Sequence, residues 1–149
     1  MRCVLQRVKQ AEVQVENVSV GRIGRGLLIF VAIHPSDNDA HVVWMASKIL
    51  QLRMFEDAEG KNNLSVGDMG GELLVVSQFT LYGDCRKGTK PSFSDSAGPE
   101  LAEKLYLRLV ETLAKSGLRV AQGQFRAMME VSLTNWGPYT ILLDSKKEF

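Results

Sequence analysis

The chain has 149 residues, 45% of them hydrophobic, so a single domain over 1–149 can bury a core without disulfides or a structural metal. Its 18 Lys and Arg residues nearly balance 17 Asp and Glu residues, which excludes a polyanion binder steered by overall charge. Two distant cysteines and the lack of a long uncharged apolar run argue against secretion and membrane insertion, and we expect a cytoplasmic protein without a membrane partner.

The first part of the sequence predicts a β-meander followed by a helix. Residues 1–33 contain two strand-like stretches and the apolar run LLIFVAI, with the turn GRIGRG before that run. After the capping residues PSDND, apolar residues recur at helical spacing over about 37–51. LRMFED predicts another strand, ended by the turn DAEGKNN.

The second part predicts one dominant strand, a helix and two further strands. GELLVVSQFTLYG is the strongest strand pattern, and a long polar loop follows it. A helix over about 99–115 begins at Pro99 and ends before Gly117, which is placed as a C′ residue. AMMEVSLTN and YTILLDS predict two strands joined through WGP. We expect an α+β fold in which a sheet or barrel dominates.

Three polar side chains continue the strongest strand. Ser77, Gln78 and Thr80 follow the apolar run LLVV, and buried polar groups cost free energy unless they find partners. This strand end is therefore a candidate site. The basic residues of the following loop, Arg86, Lys87 and Lys90, are read either as a solvated loop or as phosphate contacts beside that site.

The sequence offers neither a metal site nor an evident general base. His34 and His41 have no cysteine or further histidine at ligand spacing, so we expect cap or surface residues and predict no metal and no cofactor. No G-x-S-x-G motif accompanies them. A contact between a histidine and Thr80 or Ser77 in the fold stays open.

Two further features have a structural and a functional interpretation. Gly137 and Pro138, in NWGPYT, predict a tight hairpin connection, but an X-Pro bond can also be cis and turn two carbonyls to one side as acceptors for an ammonium group. Phe125 and Met129 fit core positions or a pocket wall.

The motifs SQFTL (77–81), KGTKPSF (87–93) and NWGPYT (135–140) together resemble the D-aminoacyl-tRNA deacylase family. The resemblance runs nearly end to end and includes QRV, FEDAEGKNNLSV and VSLTNWGPYT. It implies a homodimer of small β-barrel-like α+β subunits, each a single domain with two main helices on the sheet. It also implies that the substrate is D-aminoacyl-tRNA, whose ester bond to the terminal adenosine is hydrolysed.

The resemblance also implies roles for single residues. One wall of the active site is formed by Ser77, Gln78, Phe79 and Thr80. In the family, a Gly-Pro element here matched by Gly137 and Pro138 enters the neighbouring subunit's pocket and offers its carbonyls to the substrate's α-amino group. Arg7 matches the arginine that holds this element, and Phe125 and Met129 match apolar residues near the adenosine. Trp136 and Tyr139 are bulkier than the family commonly carries, and Cys85 has no assigned role.

Ester hydrolysis needs a water nucleophile, a base and donors for the oxyanion. Backbone N–H groups near Gln78 and Phe79 are candidate donors. Thr80 lacks an activating base, so we expect the 2′-OH of the terminal ribose to assist the water. If an L side chain is rejected by clash, glycyl-tRNA should also be hydrolysed.

Two other functions remain alternatives. One is a non-catalytic nucleic-acid-binding module that grips phosphates with residues 86–90. The other is a sister deacylase for mischarged L-alanyl-tRNA, against which Ser77 argues because that branch carries a different residue there.

Overall fold

The structure is a computed structural model that describes residues 1–149, and it contains eight strands, two α-helices and one 3-10 turn. The strands are β1 (Arg2–Val15), β2 (Val18–Ile23), β3 (Gly26–Ala32), β4 (Phe55–Glu56), β5 (Asn62–Leu64), β6 (Glu72–Ser77), β7 (Val120–Gln122) and β8 (Glu130–Asp144). The helices are α1 (Asp39–Gln51) and α2 (Pro99–Ala114), and the 3-10 turn covers Phe79–Tyr82. Neither helix is long and apolar enough to cross a membrane.

The main sheet curls into a nearly closed barrel. Its order is β2-β1-β3-β6-β7, with β8 also paired to β1; β6 is parallel to β3 and β7, and the other pairs are antiparallel. The two ends of this order approach each other closely, because a Cβ added at Gly21 of β2 would lie 2.5 Å from the carbonyl oxygen of Gln122 in β7. Only glycine fits there. The predicted α+β fold with a barrel-like sheet and two helices is confirmed.

The predicted β-meander is wrong in its strand order. β2 does not pair with β3; β1 pairs with both of them along one edge and with β8 along the other. The C-terminal part of β1, from Ala11, pairs with β2, while its N-terminal part, up to Val8, pairs with β3. A strand of 14 residues is long enough for both partners, and the segment GRI belongs to β2 rather than to a turn.

Both helices form where their end signals predict. Asn38 caps α1 and forms a capping box with His41, whose ring nitrogen accepts from the Asn38 backbone N–H at 3.2 Å. Pro99 occupies the first turn of α2, where its missing N–H costs nothing. The chain leaves α2 through Gly117, which has a φ of 83° and is the second residue after the C-cap Lys115, one position later than predicted.

Four predicted strands differ from the observed ones. LRMFED contributes only Phe55–Glu56, paired with β5, and the dominant strand ends at Ser77, where its pairing with β3 ends. The predicted hairpin at WGP is wrong, since β8 runs on through it beside β1. Val8 pairs with Asn135 and Gln6 with Thr140, so residues 136–139 bulge opposite Arg7 alone.

The core lies on both faces of the sheet. A cluster inside the barrel consists of Val8, Ala11, Val13, Ile23, Leu28, Leu74 and Val76. A larger cluster fills the space between the sheet and the helices, where β3, β6, α1 and α2 contribute most of the side chains. Because β3 and β6 are buried on both faces, their sequences are continuous apolar runs instead of alternating ones.

Candidate active site

A cleft of about 660 Å³ opens at the end of β6, between α2 and the segment that leads into β8. Its walls are mainly apolar. Its lining comprises Val31, Ala32, Ile33, Val76, Ser77, Gln78, Phe79, Phe93, Ser96, Ala97, Pro99, Ala102, Tyr106, Phe125, Arg126, Ala127, Met128, Met129 and Val131. Arg126 is the one charged side chain in this lining, and no histidine, carboxylate, lysine or cysteine reaches it.

The floor of the cleft is the end of β6. The backbone N–H of Gln78 donates to the carbonyl of Val31 at 2.8 Å, which is the last bond holding this segment to β3. The chain then turns into the 3-10 turn, at whose start the N–H groups of Phe79 and Thr80 have no backbone oxygen as partner. The prediction of free donors near Gln78 and Phe79 therefore shifts by one residue, because the Gln78 N–H is already used.

Thr80 is exposed and does not line the cleft. Its Oγ1 accepts a short hydrogen bond from the side-chain amide of Gln78. Neither histidine is its partner: His34 contacts Ser36 and Lys146, and His41 serves the helix cap. The open possibility of a histidine beside Thr80 or Ser77 is thus wrong, and no base in this chain activates the threonine hydroxyl.

The opposite wall of the cleft carries Phe125 and Met129, as the pocket interpretation predicted. Phe125 packs against the ring of Tyr106 with centroids 5.8 Å apart. The hydroxyl of Tyr106 donates to the Val75 carbonyl at 2.9 Å, and burial raises the pKa of this phenol. Tyr106 is therefore a neutral hydrogen-bond donor that ties α2 to β6 beneath the cleft.

Gly137 and Pro138 lie in the bulge of β8 and do not line the cleft. Both are exposed, and the peptide bond between them is cis. Gly137 has a φ of 146°, and a Cβ there would lie 2.9 Å from the Tyr139 nitrogen, so a larger residue would be strained.

Arg7 contacts the bulge as the resemblance implied. Its Nε donates to the Trp136 carbonyl at 2.8 Å, and its Nη1 donates to the Met54 carbonyl at 2.7 Å and to Asn62 Oδ1 at 3.2 Å. The side chain is buried, with 4% exposed. One guanidinium therefore joins β8 to the β4–β5 hairpin.

The basic loop lies outside the cleft. Arg86 pairs with Asp84 at 2.7 Å and lowers the pKa of that carboxyl group to about 2, while Lys87 and Lys90 are exposed. Asp84 and Ser92 form a backbone bridge that closes the loop. Cys85 is exposed, and no group of histidine, cysteine and carboxylate side chains could hold a metal ion.

Several lining residues have no distinctive signal in the sequence. Tyr106 sits at a core position of α2 and looks like a packing residue, while Phe93, Ser96, Arg126 and Met128 lie in loops without a distinctive motif. The KGTKPSF motif was a signal for Phe93, but only by resemblance. Arg126 had no signal in the sequence, since a lone arginine in a loop is usually solvated.

Comparisons with known proteins agree over the whole chain. A family model described as D-Tyr-tRNA(Tyr) deacylase matches residues 4–144. A protein of Thermotoga petrophila named D-aminoacyl-tRNA deacylase is 56% identical over 149 residues, 100% of both chains. Its namesake in Clostridioides difficile is 54% identical with the same coverage.

Two solved structures share the fold. The "c-Myc DNA Unwinding Element Binding Protein" superposes with a TM-score of 0.91 and 40% sequence identity, covering 97% of this chain and 98% of the other. A "probable eukaryotic D-amino acid tRNA deacylase" has a TM-score of 0.85 and 20% identity, covering 95% and 97%. At that identity the second likeness concerns the fold alone.

Proposed function

The chain belongs to the D-Tyr-tRNA(Tyr) deacylase family and hydrolyses the ester bond of D-aminoacyl-tRNA, and we propose that this bond is cleaved in the cleft at the end of β6. One observation carries the placement. The cleft brings Ser77, Gln78 and Phe79 from one wall together with Phe125 and Met129 from the other. An apolar pocket with a few polar groups at one edge suits an adenosine whose ester carbonyl lies at that edge.

The oxyanion is stabilised by the backbone N–H groups of Phe79 and Thr80. Attack of water on the ester carbonyl places a negative charge on its oxygen, and fixed donors about 3 Å away lower the energy of that state. Both amides are free of backbone partners, and Phe79 faces the cleft. The pairing of Ser77 with Val31 holds the strand end in place, and the Gln78 side-chain amide holds the Thr80 hydroxyl.

Water is activated by the substrate. A general base must lie within hydrogen-bond reach of the proton it removes, and the cleft lining contains no carboxylate, histidine or lysine. Tyr106 is no substitute, because burial raises the pKa of its phenol. The terminal ribose carries a 2′-OH next to the ester, and we assign to it the positioning or deprotonation of the water.

The α-ammonium of the substrate binds the carbonyls of Gly137 and Pro138 of a second subunit. This cross-subunit arrangement is supported by the exposure of both residues and their separation from their own cleft. The Trp136 carbonyl already accepts a hydrogen bond from Arg7, so the carbonyls of Gly137 and Pro138 are the ones left for the ammonium group. β8 pairs only with β1, so a 15-residue strand with half-buried Val131, Leu133 and Ile141 has a free edge suited to a homodimer.

Discrimination between D- and L-substrates follows from the ammonium site and the oxyanion donors together. With the ammonium and the ester carbonyl both fixed, the Cα hydrogen and side chain can be placed in only two ways. An L side chain then clashes with a wall of the cleft and is rejected, while a D side chain points outward. Glycine has nothing to clash, so glycyl-tRNA is a weaker substrate of the same site.

Contacts outside the cleft bind the tRNA itself. Lys87 and Lys90 are exposed and available to phosphates, whereas Arg86 is engaged by Asp84 and contributes less. An enzyme that corrects aminoacyl-tRNA during translation works in the cytoplasm, which we propose as its location.

The deciding experiment compares D-tyrosyl-tRNA and L-tyrosyl-tRNA of the same tRNA over a range of enzyme concentrations. We expect fast release of D-tyrosine with L-tyrosyl-tRNA spared. Loss of both esters at equal rates would contradict the chiral mechanism. Loss of neither, with retained tRNA binding, would contradict the reaction.

A second candidate function, in addition to this hydrolysis, is binding of duplex DNA. It is favoured by the 40% identity to a protein described as binding a DNA element. The near-neutral charge and the Asp84–Arg86 pair count against strong duplex binding. Salt-sensitive retention of duplex DNA by the purified protein would favour it, and no retention at low salt would contradict it.

A further inference from the structure

The two aromatic residues beside the Gly137-Pro138 pair take part in a chain of cation-π contacts. The guanidinium carbon of Arg7 lies 4.9 Å from the centroid of the Trp136 ring and 4.7 Å from the centroid of the Tyr139 ring. The guanidinium carbon of Arg25 lies 4.6 Å from the same Trp136 ring. Two cations therefore contact one indole, which directly precedes Gly137 in the chain.

Neither arginine has a carboxylate partner. Arg7 donates only to neutral oxygens, and Arg25 forms no ion pair in the structure. The nearby carboxylate of Glu72 instead accepts hydrogen bonds from Arg119 Nη1 at 2.8 Å and from the Gly24 N–H at 2.8 Å. The Trp136 ring is thus the electrostatic partner of Arg25, while Arg7 has the rings of both Trp136 and Tyr139.

The backbone beneath Arg25 is fixed. The Gly24 N–H bonds to the Glu72 carboxylate, and the Arg25 carbonyl accepts from the Glu72 N–H at 3.0 Å. The corner between β2 and β3 is therefore attached to the first residue of β6 on both sides of Arg25. A side chain that extends from such a corner can hold a ring in place.

The bulge needs such support, because residues 136–139 lie opposite Arg7 alone and leave the regular ladder between β8 and β1. The Tyr139 N–H bonds to Asn135 Oδ1 at 2.8 Å, and the Trp136 carbonyl accepts from Arg7. Side-chain contacts must therefore do the work that ladder bonds do elsewhere in β8.

We propose that Arg25 is a positioning residue for the Gly137-Pro138 element, acting through the Trp136 ring, and that it thereby sets the discrimination between D- and L-aminoacyl-tRNA. The inference rests on the proposed role of that element in binding the α-ammonium. A shift of the two carbonyls would move the ammonium, and with it the direction in which an L side chain meets the wall. Trp136 and Tyr139 are accordingly part of how this chain aligns its substrate, with Arg25 as the outer support.

The test compares Arg25→Ala with Arg22→Ala, an exposed arginine on β2 that has neither an ion pair nor an aromatic contact. We expect Arg25→Ala to lower the ratio of D- to L-tyrosyl-tRNA hydrolysis rates about three- to tenfold, in keeping with the loss of one cation-π contact. Arg22→Ala should keep the wild-type ratio, and both should melt within about 2 °C of wild type, as surface substitutions usually do. Arg25→Lys should restore part of the ratio, because an ammonium also binds an indole face.

A double variant separates this route from a general effect on the fold. Once Trp136→Ala has removed the ring, adding Arg25→Ala should change the ratio no further. An additive effect, a ratio unchanged in Arg25→Ala, or a loss that follows a lowered melting temperature would each overturn the inference.

Failure of the inference differs from failure of the proposed function. Suppose that wild type prefers the D ester over the L ester and that Gly137→Ala abolishes this preference. If Arg25→Ala then has the same ratio of D to L hydrolysis rates as Arg22→Ala, only the inference is overturned. If wild type hydrolyses neither ester, or if Gly137→Ala keeps full activity and discrimination, the proposed function or its ammonium site fails, and the inference is overturned with it.

Discussion

The Oγ1 atom of Thr80 accepts a hydrogen bond from the side-chain amide of Gln78, while Gln78 itself lines the cleft from which Thr80 is absent. The hydroxyl is thus engaged as an acceptor and has no base to remove its proton. A nucleophile needs the opposite arrangement, in which its proton is donated to a base.

Thr80→Ala should retain activity. We expect deacylation of D-tyrosyl-tRNA to fall by less than about tenfold, since the loss of one supporting hydrogen bond costs about 1 kcal/mol. Single-turnover rates with enzyme in excess measure the chemical step, and Thr112→Ala, on the outer face of α2, is the matched control. A loss of several orders of magnitude would instead identify Thr80 as the nucleophile.

A tRNA ending in 2′-deoxyadenosine should be a poor substrate. If the ribose 2′-OH activates water, its removal should slow D-tyrosine release by at least about a hundredfold, the usual contribution of a general base. Binding of the deoxy substrate should change little, which competition against the normal substrate can measure. Equal turnover of both substrates would require a base that the cleft lining lacks.

Glycyl-tRNA should be hydrolysed more slowly than D-tyrosyl-tRNA and faster than L-tyrosyl-tRNA. The reason is steric, because glycine lacks the side chain that the wall rejects. Measurements at rising enzyme concentration, with L-alanyl-tRNA as the smallest L control, test this order. Resistance of glycyl-tRNA at high enzyme concentration would contradict rejection by clash.

Two buried tyrosines should respond differently to removal of the hydroxyl. Tyr106 donates to the Val75 carbonyl, so Tyr106→Phe should lower the free energy of unfolding by about 1 kcal/mol. The buried Tyr82 hydroxyl has no partner, so Tyr82→Phe should be neutral or stabilising. Urea denaturation of both variants measures the difference, and equal destabilisation would contradict it.

Stability should decline in strongly alkaline solution. Burial raises the pKa of both Tyr82 and Tyr106, so each phenol prefers its neutral form in the folded state. Their contribution is complete below the unfolded pKa of about 10 and is lost as pH rises above it, because only the unfolded chain then ionises readily. Tyr82→Phe should flatten this decline in denaturation curves measured from pH 8 to 11.

The sequence predicted well what local signals determine. Both helices lie close to their expected bounds, because Asn38, Pro99 and the apolar spacing act within one or two turns. The end of the dominant strand was placed too late, since nothing in SQFTLYG reveals that the pairing with β3 ends at Val31. Strand ends depend on a neighbour that is distant in the chain.

Gly137-Pro138 illustrates a second limit. A Gly-Pro pair between two apolar runs has the same local pattern in a hairpin and in a bulge, and only the length of β1 decides that β8 continues. For the cleft, the family motifs pointed to residues that do meet there, such as Gln78 and Met129. The contact between Arg25 and Trp136 had no local signal at all.

The pairing of β1 with β8 also constrains how the chain acquires its fold. The register joins Arg2 to Asp144 and Gln14 to Glu130, so β1 is synthesised well before the partner that covers one of its edges. Until then the long strand can bind β2 and β3 but leaves one edge open. Contacts of such long sequence separation slow folding. Assembly of the barrel therefore waits for the synthesis of β8, and β1 is the segment that most needs protection until then.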